Sequence, residues 1–391
     1  MQSSTHNPLP YTAPTMRLVV ALLLFAATAA PTTMHAQWDM EESNTTASLR
    51  GIVNVGGGVA WASGTNGTVL RSEDGGYLWQ SCATPPGAEK LDFRGIQAFD
   101  ENTAIVMSSG KGDLSRLYKT TDGCATWKLL FTNPDKEGFW DAVQFGDKTH
   151  GFLLGDPVND LFRLWTTLDA GETWLEVRKY STPNVFDRHP QGAFAASNSA
   201  LWVTAALWSN GSYNPYLAWA TGGKNGAKVY AEQSHGDHGG GSISSVPLGH
   251  KTESSGAFSL FFREDVHRES VGVVVGGDYL NPNDNTNTAA VSPDSGTTWT
   301  AAQTPPHGYR SAVAYNSKTK TWITVGPNGT DISRDDGKNW TPLKPSGYDA
   351  ADADKNWNAL SLPFVVGPNG RIGKLRAIAI STAESSKDKK E

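Results

Sequence analysis

Ser333-Arg334-Asp335-Asp336-Gly337-Lys338-Asn339-Trp340 reads as a tight turn between two short strands. An Asp at the third position accepts hydrogen bonds from backbone N–H groups two or three residues on. The glycine supplies a positive φ, and the tryptophan buries its ring under the turn as the next strand begins. The same spacing recurs at Ser72 to Trp79, Thr120 to Trp127, Thr167 to Trp174 and Ser292 to Trp299, and only Cys124 replaces the glycine. The turn accounts for every residue of the motif. The five aspartates Asp74, Asp122, Asp169, Asp294 and Asp335 are therefore assigned to structure and left out of any candidate site.

Working outward, each box is preceded by a short strand start such as Leu49-Arg50-Gly51-Ile52 or Phe93-Arg94-Gly95-Ile96, an apolar strand and a glycine-bearing turn. Each unit is thus four short strands. Aligning the starts sets Arg50, Arg94, Trp140, Gln191, Ser255, Arg310 and Trp357 as equivalents. Their spacings of 44, 46, 51, 64, 55 and 47 residues lie near the roughly 40–50 of a four-stranded propeller blade. An all-β, seven-bladed propeller is expected. The fourth unit has lost its box, with Trp219 to Lys224 keeping only a turn. The seventh lacks an outer strand, which Gln37-Trp38-Asp39 is expected to supply, leaving no open edge.

Three further features bound the chain. Its 391 residues carry a formal charge of −6, so no nucleic-acid partner is expected. Arg17 followed by the apolar run 18–30 reads as an export signal, too short to span a bilayer. Cleavage is placed after Ala36 in preference to the site near Ala29, and Met16 is a more natural start than Met1, so residues 1–15 fall outside the reading. The domains are then a signal at 1–36, a propeller at 37–377 and a polar tail at 378–391, with no transmembrane segment in the mature chain. The protein is expected to be secreted or periplasmic and monomeric, without a cofactor. Cys82 and Cys124 allow at most one disulfide; lying in adjacent repeats at different levels, they are expected to be free thiols.

These repeats resemble the bacterial neuraminidase (Asp-box) repeat propellers, and within them the photosystem II stability and assembly factor family. The Arg-Gly-Ile strand starts and boxes such as Thr120 to Trp127 carry the likeness across essentially the mature chain. The resemblance implies a non-enzymatic scaffold that holds a protein intermediate on an arginine-bearing face. It more distantly implies a sialidase-like glycoside hydrolase acting on an extracellular glycan. For that alternative three arginines on one ring fit a carboxylate, but no Arg-Ile-Pro segment is present. Tyr309, Tyr348 and Glu253 have no register that makes a nucleophile pair.

In a four-stranded blade the innermost strands begin on the face opposite the boxes. That places Arg50, Arg94, Arg310, Trp140, Trp357 and Asp141 around one central opening, with Asp113, Asp156 and Asp278 from nearby turns. Guanidinium forks bind carboxylates and flat rings stack on sugars or chains, so a protein or glycan partner is expected there. The same groups would equally serve as inter-blade ion pairs. Asp113 with Asp156 is a candidate carboxylate pair for hydrolysis, though both sit in Gly-Asp turns. His235-Gly236-Asp237-His238, with His189 and His307 on the same rim, is a weak metal candidate. Its spacing matches no established ligand motif, so no metal is assigned. The Asn- and Asp-rich stretch 278–287 likewise lacks the order of a calcium loop.

Overall fold

The computed structural model describes residues 1, 37–177, 191–204, 215–233, 240–263 and 270–381. The expected export signal, His189, His235, Asp237 and His238 lie outside the described residues, as does 382–391.

Seven four-stranded antiparallel sheets form the fold. Blade one is Leu49–Gly56, Val59–Gly64, Val69–Ser72 and Gln80–Ser81. Blade two is Phe93–Ala98, Ala104–Ser108, Arg116–Thr120 and Lys128–Thr132, and blade three Trp140–Phe145, Gly151–Val158, Leu161–Thr167 and Leu175–Glu176. Blade four is Leu201–Val203, Tyr216–Thr221, Lys228–Gln233 and Gly240–Ser245; blade five is Ser255–Arg263, Val271–Asp278, Ala289–Ser292 and Thr300–Ala301. Blade six is Ala312–Asn316, Thr321–Gly326, Gly329–Ser333 and Thr341–Pro342. Blade seven takes Ala359–Ser361, Phe364–Val366 and Ile372–Leu375 from the C-terminal end and closes with Trp38–Glu41.

That closing strand pairs Trp38 with Leu375 through Glu41 with Ile372. Asp349 fixes its start by accepting the Trp38 N–H at 2.9 Å, and Trp38 stacks on Trp357 at 5.9 Å. The short helix Ala377–Ile380 follows, and Ile380 is buried against the same interface. The fold therefore runs three residues past the expected end at 377, because an apolar side chain continues the core there.

Among the described residues the core divides into seven apolar clusters, one at each blade-to-blade interface. Sheets packed face to face bury one large aromatic after another, and Trp61, Trp140, Trp219, Trp322 and Trp357 are all fully buried. No described helix is long and apolar enough to cross a membrane.

The boxes sit between the third and fourth strands of blades one, two, three, five and six. The division of labour differs from the expected one. The leading hydroxyl takes the N–H of the glycine position, as in Ser72 Oγ with Gly76 at 2.9 Å, while Asp74 Oδ1 takes the N–H of Leu78, four residues on, at 3.0 Å. Two consecutive residues adopt positive φ in each turn, so Asp336 at 59° precedes Gly337 at 80°. Trp340 then donates its Nε1 to the Gly337 carbonyl at 2.8 Å.

Two expectations are corrected. Cys82 and Cys124 form a disulfide with Cα atoms 5.3 Å apart. The outer strand of blade one ends beside the box turn of blade two, where Ala83 N–H meets the Cys124 carbonyl at 3.3 Å. Cys124 thus keeps the box's left-handed conformation, φ 68°, while bridging two blades. The second correction concerns blade four. Trp219 to Thr221 end its second strand and Gly222 to Lys224 begin the turn to its third, so the segment is not a degenerate box. Residues 234–239, between its third and fourth strands in sequence, lie outside the described residues.

Candidate functional site

The inner strands of blades one, two, three and five each carry one bulged residue near their start, unpaired in the ladder. Arg50, Arg94 and Asp141 occupy it in blades one to three, between the pairs Leu49–Gly64 and Gly51–Ser63 and their equivalents. Phe258 occupies it in blade five. In blades six and seven Ser311 and Asn358 take the place, donating their N–H groups to Val325 and Val366. The sequence alignment was thus one residue early at Trp140, Arg310 and Trp357, which are ladder equivalents of Leu49 and Phe93.

Blade four departs from the rest. Its inner strand pairs at Gly192–Gly222 and again at Leu201–Trp219, with an excursion over residues 193–200 between them. This excursion enters the tunnel and closes it. Asn198 accepts the Val143 N–H at 2.9 Å and donates to the carbonyls of Val143 at 2.6 Å and Ile96 at 3.3 Å. Ser199 Oγ lies 2.7 Å from Ser259 Oγ, and Ser197 Oγ donates to the Ser311 carbonyl at 3.1 Å. The plug is anchored to blades two, three, five and six, so it divides the tunnel into two separate mouths.

Above the plug lies a cup of about 420 Å³. One wall is cationic. Arg94 Nε donates to Asp92 Oδ2 at 2.8 Å and Nη1 to the plug's Ala195 carbonyl at 3.3 Å. Arg50 Nε lies 4.0 Å from the same Asp92 oxygen, and its buried Nε has no hydrogen-bond partner. Burial, then the charge of Arg94, lowers the pKa of the Arg50 guanidinium, with Asp92 opposing. Two arginines thus share one carboxylate, and the cup keeps a surplus of positive charge.

The opposite wall is aromatic. Phe194 of the plug stacks on Phe258 with centroids 3.9 Å apart. Tyr309 meets Phe258 edge-on at 4.8 Å, while Tyr279 covers both phenylalanines and remains half exposed. Trp357 and Asn358 complete the lining.

Other candidates fall elsewhere. Asp141 is buried with both carboxyl oxygens unpartnered. Burial, then the neighbouring Asp156, drives its pKa well up, with Arg94 opposing. Asp156 accepts the Ala193 N–H at 2.9 Å where the chain leaves the ladder for the plug, and burial raises its pKa to about 6. It lines a separate groove with Glu137 and Glu253. Asp113 is exposed in a one-turn 3₁₀ segment, 3.9 Å from Arg116. Asp278 caps its own turn through the Leu280 N–H at 3.0 Å. Trp140 is buried against Phe131 and Trp165.

Arg310 does not reach the cup. It is wholly buried, with Nε donating to Asp331 Oδ2 at 2.8 Å, Nη2 bound to the same carboxylate and Nη1 donating to Asn328 Oδ1 at 2.5 Å. His307 Nδ1 adds to the network 2.7 Å from Asp331 Oδ1. The three arginines therefore divide into two at the cup and one in a structural ion pair. Among the described residues no group of three or more His, Cys, Asp or Glu is placed to hold a metal ion.

Sequence reasoning missed Asp92, Phe194, Phe258, Tyr279 and the plug. A signal existed in the 51- and 64-residue spacings flanking Gln191, which exceed the blade length and mark an insertion.

No family model matches the chain, and no curated protein matches it. Solved structures do. The chain is similar to YCF48 bound to D1 peptide at 14% identity, covering 87% of this chain and 97% of that one with a TM-score of 0.55. It shares the fold of YCF48. A second structure, YCF48 from Cyanidioschyzon merolae, matches at 16% identity, 87% and 99% coverage and a TM-score of 0.56.

Proposed function

We propose that this chain is an exported, non-enzymatic binding or assembly scaffold whose cup captures a carboxylate-bearing segment of a protein partner. The observation that carries the reading is Arg50: a guanidinium lining a cavity, its buried Nε without a hydrogen bond, opposite an aromatic wall. A buried donor left unsatisfied is costly, and a carboxylate supplies a charge-assisted acceptor of matching shape. Phe194, Phe258 and Tyr279 add the apolar contact that holds a neighbouring side chain. The similar YCF48 structure holds a D1 peptide, which supports a peptide-binding role for a propeller of this shape. Export is supported by the Arg17 and 18–30 pattern and by the Cys82–Cys124 disulfide, which suits an oxidising compartment.

The sialidase-like alternative needs three converging arginines, and Arg310 is committed to Asp331. The test is fluorescence polarisation with labelled peptides carrying an aromatic residue beside a free carboxylate, against amidated counterparts. Arg50→Ala is expected to weaken carboxylate binding at least tenfold without lowering the melting temperature. Equal binding of amidated peptides would overturn the reading.

A further inference from the structure

The tunnel has a second mouth, on the box face below the plug, with a cavity of about 340 Å³. Its rim repeats one ladder position, three residues beyond the bulge: Val53, Gln97, Gln144, Phe261, Ala314 and Ser361. Among the described residues no Asp, Glu, Lys, Arg or His lines it, and the Arg263 that packs on the Tyr315 ring at 5.5 Å is paired with Asp336 at 3.0 Å. The floor is the polar plug, Ser197 to Ser199, and Trp202 and Tyr315 stand at the side, partly exposed.

Hydrogen-bonding capacity is left over here. Gln97 uses its Nε2 on the Ala98 carbonyl at 3.3 Å and Gln144 its Nε2 on the Asn198 carbonyl at 3.0 Å. Neither Oε1, nor the Tyr315 hydroxyl, has a hydrogen-bond partner among the described residues. Ser361 Oγ accepts the Asn54 N–H at 2.9 Å, so its own proton is available. The mouth thus offers acceptors from two amides, donors from two hydroxyls and aromatic edges, without a net charge, in a volume typical of small-molecule sites.

We infer that this mouth binds a neutral sugar ring. A polyhydroxylated ring matches mixed donors and acceptors along its edge and apolar C–H groups on its faces. A charged ligand would meet no unpaired counter-charge among the described residues and would lose its hydration uncompensated. The inference is independent of the cup, which lies on the other side of the plug.

The experiment is calorimetric titration of the full chain with glucose, galactose, mannose and N-acetylglucosamine, alongside galacturonate and adenosine. At least one neutral sugar is expected to saturate in the millimolar range. Gln97→Leu, which gives up only the side-chain hydrogen bond to the adjacent Ala98 carbonyl, is expected to weaken it at least tenfold at unchanged melting temperature; Gln97→Glu, which keeps an acceptor at the same place, is expected to retain binding. Arg50→Ala is expected to leave it unchanged. No saturation by any neutral sugar up to about 50 mM, tighter binding of galacturonate or adenosine, or loss in Arg50→Ala but not in Gln97→Leu would overturn the inference.

Discussion

The two mouths of the tunnel are built from the inner strands of the same six blades, three residues apart, with blade four's plug between them, and differ in what those positions carry. At the cup the bulged residues are Arg50, Arg94 and Phe258; at the opposite mouth the ring is Val53, Gln97 and Phe261 on the same three blades. The boxes around the neutral mouth have their aspartates fully engaged. Hydrogen bonds from the Thr126 hydroxyl and N–H hold Asp122 at a pKa of about 2, and those from Thr173 do the same for Asp169. On the other face polar groups are left less satisfied: Arg50 Nε and both Asp141 carboxyl oxygens have no hydrogen-bond partner, and burial raises Asp156 to about 6. The box face commits its charges to the turns, while the other face leaves polar groups unpaired.

The largest effect that separates the faces is expected at Cys82–Cys124. Replacing both cysteines with alanine should cost about 2–4 kcal/mol in denaturant melts and leave peptide capture at the cup unchanged. Cys124→Gly in place of Cys124→Ala should recover about 1 kcal/mol, since glycine adopts the left-handed turn freely. If peptide binding falls along with stability, the faces are not separable.

Next comes the partition itself. Asn198→Ala removes three buried hydrogen bonds and strands the Val143 N–H, for an expected loss of about 2–3 kcal/mol. Because the plug supplies the cup's Phe194 and the other mouth's floor, this variant is expected to weaken both ligands. Weakening only one would mean that the mouths do not share their support.

The smallest effect has the opposite sign. Asp141→Leu removes an unpartnered buried carboxyl and is expected to stabilise the fold by about 1–2 kcal/mol at neutral pH. The pH profile sharpens the contrast. An acid whose folded pKa is raised is protonated more readily in the folded chain, so Asp156 makes stability fall as pH rises from about 4 towards 6. The depressed box aspartates give stability that is lost as pH falls from about 4 towards 2. Thermal melts across this range should show a maximum between the two limbs, and Asp156→Asn should flatten the upper one.

The propeller was legible because the box is a local device: a hydroxyl, an Asp, a left-handed pair and a tryptophan specify one turn without distant partners. Blade count and closure by Trp38 followed from the repeat. The site was less legible because a one-residue bulge decides which side chain enters the tunnel. Nothing in Phe139-Trp140-Asp141 announces that Asp141, rather than Trp140, is the equivalent of Arg50. Arg310 was misassigned for the same reason, its ladder position being that of Leu49. Phe194 and Phe258, 64 positions apart in sequence, meet through an excursion with no repeat to align it. The disulfide was missed because levels along a strand do not reveal that one blade's outer edge abuts the next blade's turn.

The seam in blade seven carries a temporal consequence. Asp39 and Arg376 are joined across the last two strands although 337 residues separate them in sequence. The six other blades each assemble from neighbouring hairpins, so they can form as the chain is delivered. The ring cannot latch until its two ends meet, and this long-range step is the slow one in a topology of otherwise local contacts. Until then the edge strand Ile372–Leu375 stands bare, and a second molecule's Trp38–Glu41 is its natural competitor, making exchange between chains the misassembly to which this architecture is most open.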